Sequence, residues 1–172
     1  KEDLYKLFEK DKSIATRAAS GKIMNFISEQ IPALIGGSAD LGTSTKTILD
    51  KYPFIEKNKF DGRNFHFGVR EHSMAAICNG IALYGGFIPY CSSFFVFTDY
   101  LRPALRLSAL MKLQVIYIMT HDSIFVGEDG PTHQPIEQAM CCRMIPNLLV
   151  FRPADAIETV DVWLKALAEK NR

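Results

Sequence analysis

Helical and strand-like patterns of apolar residues alternate along the whole chain. Apolar positions at helical spacing, such as Ile23, Phe26 and Ile27, predict a first long helix that Pro32 ends. The same spacing predicts further helices over residues 71–83, 94–112 and 135–144, and a last helix through residues 157–167. We expect the helix over 94–112 to bend or restart at Pro103, which lacks a backbone N–H.

Short apolar runs between these helices predict five buried strands. They lie at residues 34–35, 65–67, 87–90, 115–120 and 148–152. The run VIYIMT at 115–120 is apolar throughout, which is typical of a strand buried on both faces. This alternation predicts an α/β fold, a doubly wound, mostly parallel sheet with helices on both faces. Ligands of such sheets bind beyond the carboxyl ends of the strands.

Composition narrows the class of protein. The 172 residues are 48% hydrophobic, and 20 basic against 19 acidic side chains give a net charge of +1. These values exclude intrinsic disorder and argue against nucleic-acid binding, which needs a concentrated basic face. We expect one domain over residues 1–172. The four cysteines have no metal-knuckle spacing and predict reduced thiols of a cytoplasmic protein.

A long uncharged segment extends from His72 to Thr98. It exceeds the roughly 20 residues that span a bilayer. Gly85, Gly86 and Pro89 interrupt it, so it indicates a buried helix, a turn and a buried strand. We expect no membrane association.

The loop after residues 115–120 carries the densest set of titratable side chains. Between His121 and His133 it also contains Asp122, Glu128 and Asp129. Imidazoles and carboxylates together suit proton transfer or hydrogen bonding to a polyhydroxy substrate. The alternative is a turn-rich loop whose side chains satisfy its own backbone. Zinc is the weaker interpretation, because no His or Cys pair has metal-ligand spacing.

Glu71 is the one acidic residue at the start of an otherwise uncharged helix. A first-turn glutamate usually serves only the helix dipole. The uncharged surroundings instead suggest burial, which would favour a protonated carboxyl group that donates a hydrogen bond.

An aromatic repeat and a Gly/Ser loop are two further candidates for ligand contacts. Phe94, Phe97 and Tyr100 recur every third residue and would share one side of a helix, either in the core or around a cofactor. The Gly/Ser loop over residues 36–44 lacks the ending of a P-loop, but it is a candidate phosphate contact with charge from Arg17.

In this order, four segments closely resemble the middle, pyrimidine-binding domain of transketolase. They are GGSADL, GVREHSMAAICNGIAL, THDSIFVGEDGPTHQPIEQ and PNLLVFRPAD, and the resemblance covers about residues 14–155. GEDGPTHQP is its most specific part. The resemblance implies a thiamine diphosphate enzyme that moves a two-carbon ketol unit between sugar phosphates.

The resemblance also implies a role for each matching residue. Glu71 matches the catalytic glutamate that hydrogen-bonds N1′ of the cofactor's aminopyrimidine and helps activate its thiazolium C2. Asp40 matches an aspartate near the cofactor, and His133 matches a catalytic residue that, with Asp129, contacts donor-sugar hydroxyls. The aromatic pocket around the pyrimidine matches Phe94, Phe97 and Tyr100. The contacts to the substrate phosphate or its channel match Arg17, Ser44 and His121.

Three positions depart from the family pattern. Phe125 replaces the usual glycine of HDSIG, which affects the loop backbone or the channel width. Thr45 stands where asparagine is usual, and Ala18 stands where lysine is common. None belongs to the set of matching site residues.

The chain also lacks the G-D-G…N motif that holds Mg²⁺ (or Ca²⁺) and the cofactor's diphosphate in this family. We therefore expect a fragment or a split-enzyme subunit without the diphosphate-binding and C-terminal domains, inactive alone and part of a homodimer when complete. The alternatives are dihydroxyacetone synthase, another thiamine diphosphate enzyme domain, or a non-catalytic dimerisation module.

Overall fold

Four of the five predicted strands form one parallel sheet in the computed structural model, which describes residues 1–9 and 13–170. The strands are β1 (Leu34–Ser38), β2 (Asn64–His66), β3 (Ile88–Phe94) and β4 (Ile116–Thr120), in the order β2-β1-β3-β4. The predicted α/β class and parallel sheet are confirmed. The predicted domain, residues 1–172, also includes residues 10–12 and 171–172, which lie outside the described part.

The helices connect these strands and cover both faces of the sheet. They are α1 (Glu2–Lys6), α2 (Thr16–Gln30), α3 (Gly42–Thr45), α4 (Glu71–Tyr84), α5 (Thr98–Leu110), α6 (Gln138–Arg143) and α7 (Ala156–Ala168), with 3₁₀ turns at Phe95–Phe97 and Pro131–His133. The prediction of a helix starting at Phe94 is wrong, because Phe94 ends β3. Of the two alternatives expected at Pro103, the restart is wrong, since α5 continues through it, and the bend stays a prediction.

Two hydrophobic cores lie on opposite faces of the sheet. Adjacent residues of a strand point to opposite faces, and neighbours on β3 illustrate this. Tyr90 packs in a core with residues of α1, α2 and α7, whereas Cys91 packs in a second core with residues of α4 and α5. At Gly36 of β1, a Cβ atom would collide with the carbonyl oxygen of Tyr90, so only glycine fits.

The fifth predicted strand, residues 148–152, does not form. A cleft of about 590 Å³ separates this segment from β4, and both line it. A strand pairs with a neighbouring strand roughly 4.8 Å away. Because the cleft lies between residues 148–152 and β4, these two segments do not pair. Consequently β4 is an edge strand whose residues Ile116–Met119 are only half-buried, which corrects the expectation of burial on both faces.

The uncharged segment from His72 to Thr98 divides as the sequence predicts. It forms most of α4, a turn at Gly85 and Gly86, and β3. Both glycines have positive φ, 86° and 81°, which favours glycine and ends the helix. Within residues 1–9 and 13–170, no helix has the length and apolar character needed to cross a bilayer.

Candidate active site at the carboxyl edge of the sheet

Arg17, Ser44 and His121 meet at the carboxyl edge of the sheet. Helix α2 precedes β1 and runs back along it, so its first turn places Arg17 beside the end of β4. Nη1 of Arg17 lies 2.7 Å from Nε2 of His121 and 3.4 Å from the carbonyl oxygen of Ser44. The residues that the resemblance implied for phosphate contact thus come together around a permanent positive charge.

His121 leaves β4 with a left-handed backbone, φ 55°. Its ring stacks on Phe94 with the centroids 3.8 Å apart, and its Nδ1 lies 2.8 Å from Oγ1 of Thr120. Partial burial lowers the pKa of the imidazole, and the positive charge of Arg17 lowers it further. Asp129 and Asp122 act in the opposite direction, and His133 adds a smaller lowering effect.

The three aromatic residues form a continuous row. The ring centroids are 6.1 Å apart between Phe94 and Phe97, and 5.9 Å apart between Phe97 and Tyr100. Their predicted place on one side of a helix is wrong, because they belong to β3, a 3₁₀ turn and α5 in turn. Exposure rises along the row from 7% at Phe94 to 64% at Tyr100. The row therefore runs from the buried Phe94 to the exposed Tyr100 as a continuous aromatic surface.

The loop after β4 brings His133 against this row. Its ring meets Phe97 edge-on at 5.3 Å and Phe94 at 6.1 Å, and its Nδ1 lies 2.8 Å from Oγ1 of Thr132. Asp129 is exposed two residues after Gly127, which has a positive φ. The predicted cluster of polar groups at the carboxyl edge is thus present in the folded chain.

Glu71 and Asp40 form no such side-chain contacts within the described residues. Glu71 is only 8% exposed in the first turn of α4, as predicted. Among the described residues its carboxyl group forms no hydrogen bond or ion pair. Asp40 is exposed after β1 with φ 63°. Neither is hydrogen-bonded to the other predicted site residues of the described chain.

Sequence reasoning missed three residues that support the site. Thr120 and Thr132 bond the adjacent histidines, and Arg152 pairs with Asp122 at 2.8 Å. A hydroxyl next to each histidine in the sequence was an available signal. No sequence signal indicated the pairing of Arg152 with Asp122, 30 residues away, because this pairing depends on how the segment 148–152 returns to β4.

The positions that depart from the family pattern are accommodated. Phe125 is 89% exposed, and its φ is not positive, so the backbone there does not need glycine. Thr45 is buried, where its hydroxyl bonds the carbonyl oxygen of Leu41 and the hydroxyl of Thr47. Nothing in the structure explains why Ala18 stands where lysine is common in the family.

Residues 1–9 and 13–170 contain no group of three or more His, Cys, Asp or Glu side chains arranged to hold a metal ion.

A parallel α/β domain with an aromatic row, a nearly buried carboxyl group and an arginine–histidine pair at the carboxyl edge of its sheet is typical of cofactor- and substrate-binding domains. The family model described as "Transketolase, pyrimidine binding domain" matches residues 12–172. The chain belongs to this transketolase family.

Individual relatives agree with this assignment. A transketolase from Aquifex aeolicus is 52% identical over 98% of this chain and 24% of its own length. The Pichia stipitis transketolase in complex with sedoheptulose-7-phosphate superposes with a TM-score of 0.90 at 41% identity, over 94% of this chain and 25% of that one. A "split gene transketolase, inactive beta4 tetramer" superposes with a TM-score of 0.69 at 30% identity, over 92% and 49%. The chain spans about a quarter of the length of the curated relatives it matches.

Proposed function

We propose that this chain is the pyrimidine-binding part of a cytoplasmic transketolase. The complete enzyme transfers a two-carbon ketol unit from a ketose phosphate to an aldose phosphate with thiamine diphosphate. The observation that carries the proposal is the stacking of His121 on Phe94 while Nε2 of the same ring contacts Arg17. An aromatic cofactor pocket and an anion site therefore share one side chain, as a phosphorylated substrate beside a cofactor ring requires.

The residues present fit the aminopyrimidine part of thiamine diphosphate. Phe94, Phe97 and Tyr100 offer a stacking surface for a flat ring. Glu71 is only 8% exposed, and its carboxyl group forms no hydrogen bond or ion pair in the described chain, so it is free to bond a ring nitrogen. Bound there, the cofactor would supply the carbon nucleophile that carries the two-carbon unit. Asp40 would lie near it.

Each side chain has a separate task in this proposal. Glu71 holds a proton against the pyrimidine nitrogen N1′ and is the general acid–base group of cofactor activation. His133 and Asp129 hydrogen-bond donor-sugar hydroxyls. Arg17, with His121 and Ser44, binds the substrate phosphate by charge-assisted hydrogen bonds.

The metal and the diphosphate belong to a different part of the complete enzyme. The chain lacks the G-D-G…N motif, and its described residues offer no metal-ligand group. We propose that Mg²⁺ or Ca²⁺ is held by a separate diphosphate-binding domain and that the complete enzyme is a homodimer.

A domain replacement tests the proposal. The Aquifex aeolicus relative would carry this chain in place of its own matching 168 residues. We expect the chimera to transfer the ketol unit from xylulose 5-phosphate to ribose 5-phosphate. The Glu71→Gln chimera, with the same shape and no ionisable carboxyl group, is the matched control and should be nearly inactive.

Two outcomes would contradict the proposal. A folded chimera without transferase activity would favour the non-catalytic module. Activity with formaldehyde but not with aldose phosphates would favour dihydroxyacetone synthase. For the 172-residue chain alone we expect no activity and only weak binding of thiamine diphosphate. Calorimetry that showed submicromolar, Mg²⁺-dependent binding would contradict the assignment of the diphosphate to another domain.

A further inference from the structure

Residues 124–126 form an apolar tip on the loop that follows β4. Phe125 is 89% exposed, and the preceding Ile124 is 53% exposed. The ring of Phe125 has no aromatic or cationic partner within residues 1–9 and 13–170. A large apolar side chain in water gains free energy from a ligand that covers it. This ring is therefore a surface on which a ligand can pack.

Hydrogen bonds within the loop hold the apolar tip in place. The backbone N–H of Phe125 donates to Oγ of Ser123 at 3.0 Å, and Nε2 of Gln134 donates to the carbonyl oxygen of Ile124 at 2.8 Å. The second bond joins the tip to the segment that follows His133. Because the loop is already tethered around Phe125, a ligand that covers the ring does not have to order the loop first.

The apolar tip borders the cleft that also contains the guanidinium of Arg17. Arg17, His121 and Phe125 are all among the residues that line this cleft. The contacts of Arg17 with His121 and Ser44 use only Nη1. Its remaining N–H groups can therefore bind an anion. The carbon atoms attached to such an anion can lie in the cleft that Phe125 borders.

We propose that Phe125 is a specificity-determining residue whose ring packs on the phosphate-bearing end of a sugar phosphate held by Arg17. A substrate without a phosphate group is not drawn to Arg17 and does not reach the ring. Phe125 thus favours phosphorylated substrates through a contact that the usual glycine of the family cannot make. That the ligand is a sugar phosphate rests on the proposed function.

Steady-state kinetics of the chimera tests the proposal with two acceptors. Phe125→Gly should raise the KM for ribose 5-phosphate about tenfold, since the ring contact then no longer contributes to binding. The KM for glycolaldehyde, a two-carbon acceptor without phosphate, should stay at the wild-type value. Phe125→Tyr keeps the ring and should behave like the wild type. Phe60→Gly removes another exposed ring, in the loop before β2, and is the matched control.

Three kinetic results would overturn the proposal. A lower KM for ribose 5-phosphate in Phe125→Gly would mean that the ring obstructs the cleft. Equal changes for both acceptors would assign the effect to the loop backbone. An unchanged KM for ribose 5-phosphate would mean that the ring does not contact the substrate.

Calorimetry separates failure of this inference from failure of the proposed function. If the folded chimera does not transfer the ketol unit, the proposed function fails, and binding of ribose 5-phosphate and of ribose still tests Phe125. The Kd for ribose 5-phosphate should be about tenfold higher in Phe125→Gly, and any binding of ribose should be unchanged. Equal Kd values for ribose 5-phosphate in both proteins, or no binding of it to either, would overturn the role of Phe125.

Discussion

His121 and Asp40 leave the carboxyl edge of the sheet with left-handed backbones, at φ 55° and 63°. Such conformations are uncommon outside glycine, although Asp and His tolerate them better than most residues. Strain of this kind persists where the surrounding contacts over-determine it. At His121 these contacts come from Thr120, Arg17 and Phe94.

Glu71 gives the sharpest prediction at this scale. In the chimera, Glu71→Ala should lower kcat by about 10²–10⁴-fold, the usual contribution of a general acid–base group. Glu71→Gln should also be severely impaired, because an amide cannot exchange the proton. Hydrogen–deuterium exchange at thiazolium C2 of the bound cofactor measures the activation step directly. If Glu71→Ala exchanges the C2 proton at the wild-type rate, Glu71 does not activate the cofactor and serves only the start of helix α4.

His133 should affect a different step. His133→Ala removes a hydrogen-bonding group beside Phe97, so the KM for the donor sugar should rise about tenfold, the effect of losing roughly 1.4 kcal/mol of binding free energy. The rate of C2 exchange should stay at the wild-type level. His66→Ala, at the exposed end of β2, is the matched control. A slowed C2 exchange in His133→Ala would mean that the residue acts on the cofactor instead.

Helix α7 shows how a local signal and a tertiary contact combine in one element. Asp155 caps its first turn by accepting from the backbone N–H of Glu158 at 2.9 Å, and Glu158 accepts from the backbone N–H of Ala154 at 2.7 Å. The Asp-x-x-Glu spacing that places these two side chains at the helix start is readable from the sequence. The bond from Trp163 to the hydroxyl of Ser20, 2.9 Å long, joins α7 to α2 and is a consequence of folding.

The cap of α7 yields a stability prediction. Asp155→Ala leaves an N–H at the helix start without its acceptor and should lower the free energy of unfolding by about 1 kcal/mol. Urea denaturation followed by circular dichroism measures this loss. Asp155→Asn keeps an accepting oxygen and is the matched control. Equal losses in both variants would assign the effect to the charge rather than to the cap.

Element prediction from sequence succeeded where the pattern was local. The bounds of α4 follow from a first-turn glutamate and a terminal Gly85, both visible in the sequence. The segment 148–152 is an apolar run like residues 115–120, which include β4. Strand formation also needs a neighbouring strand, and the local pattern does not describe that neighbour. An apolar run therefore predicted β4 correctly at residues 115–120 and a strand incorrectly at residues 148–152.

At the scale of the whole molecule, residues 1–9 and 13–170 leave an apolar helix surface and a sheet edge exposed. Helix α4 and its flanks expose large apolar side chains, including Val69, Leu83 and Tyr84, the last of them 88% exposed. On the other side, the outer edge of β4 faces the cleft. Exposed apolar patches and unpaired sheet edges both favour association.

We therefore expect the 172-residue chain to self-associate. Sedimentation velocity should show species larger than a monomer at micromolar concentrations, and Tyr84→Lys should weaken association about tenfold or more. Phe60→Lys changes a side chain that is 77% exposed in the loop before β2 and is the matched control. A monomer at high concentration, or equal effects of both substitutions, would contradict an interface on α4.

The sequence by itself determined the α/β class, most helices and the edge of the sheet that carries the site. These depend on periodicity and on turn residues, which act within a few positions of each other. The tertiary structure alone decided that 148–152 is not a strand, that Phe94 ends β3, and that Arg17 meets His121 across 104 residues. The contact of Thr120 with the same ring depends on folding as well, because the ring orientation of His121 is fixed by groups from several elements.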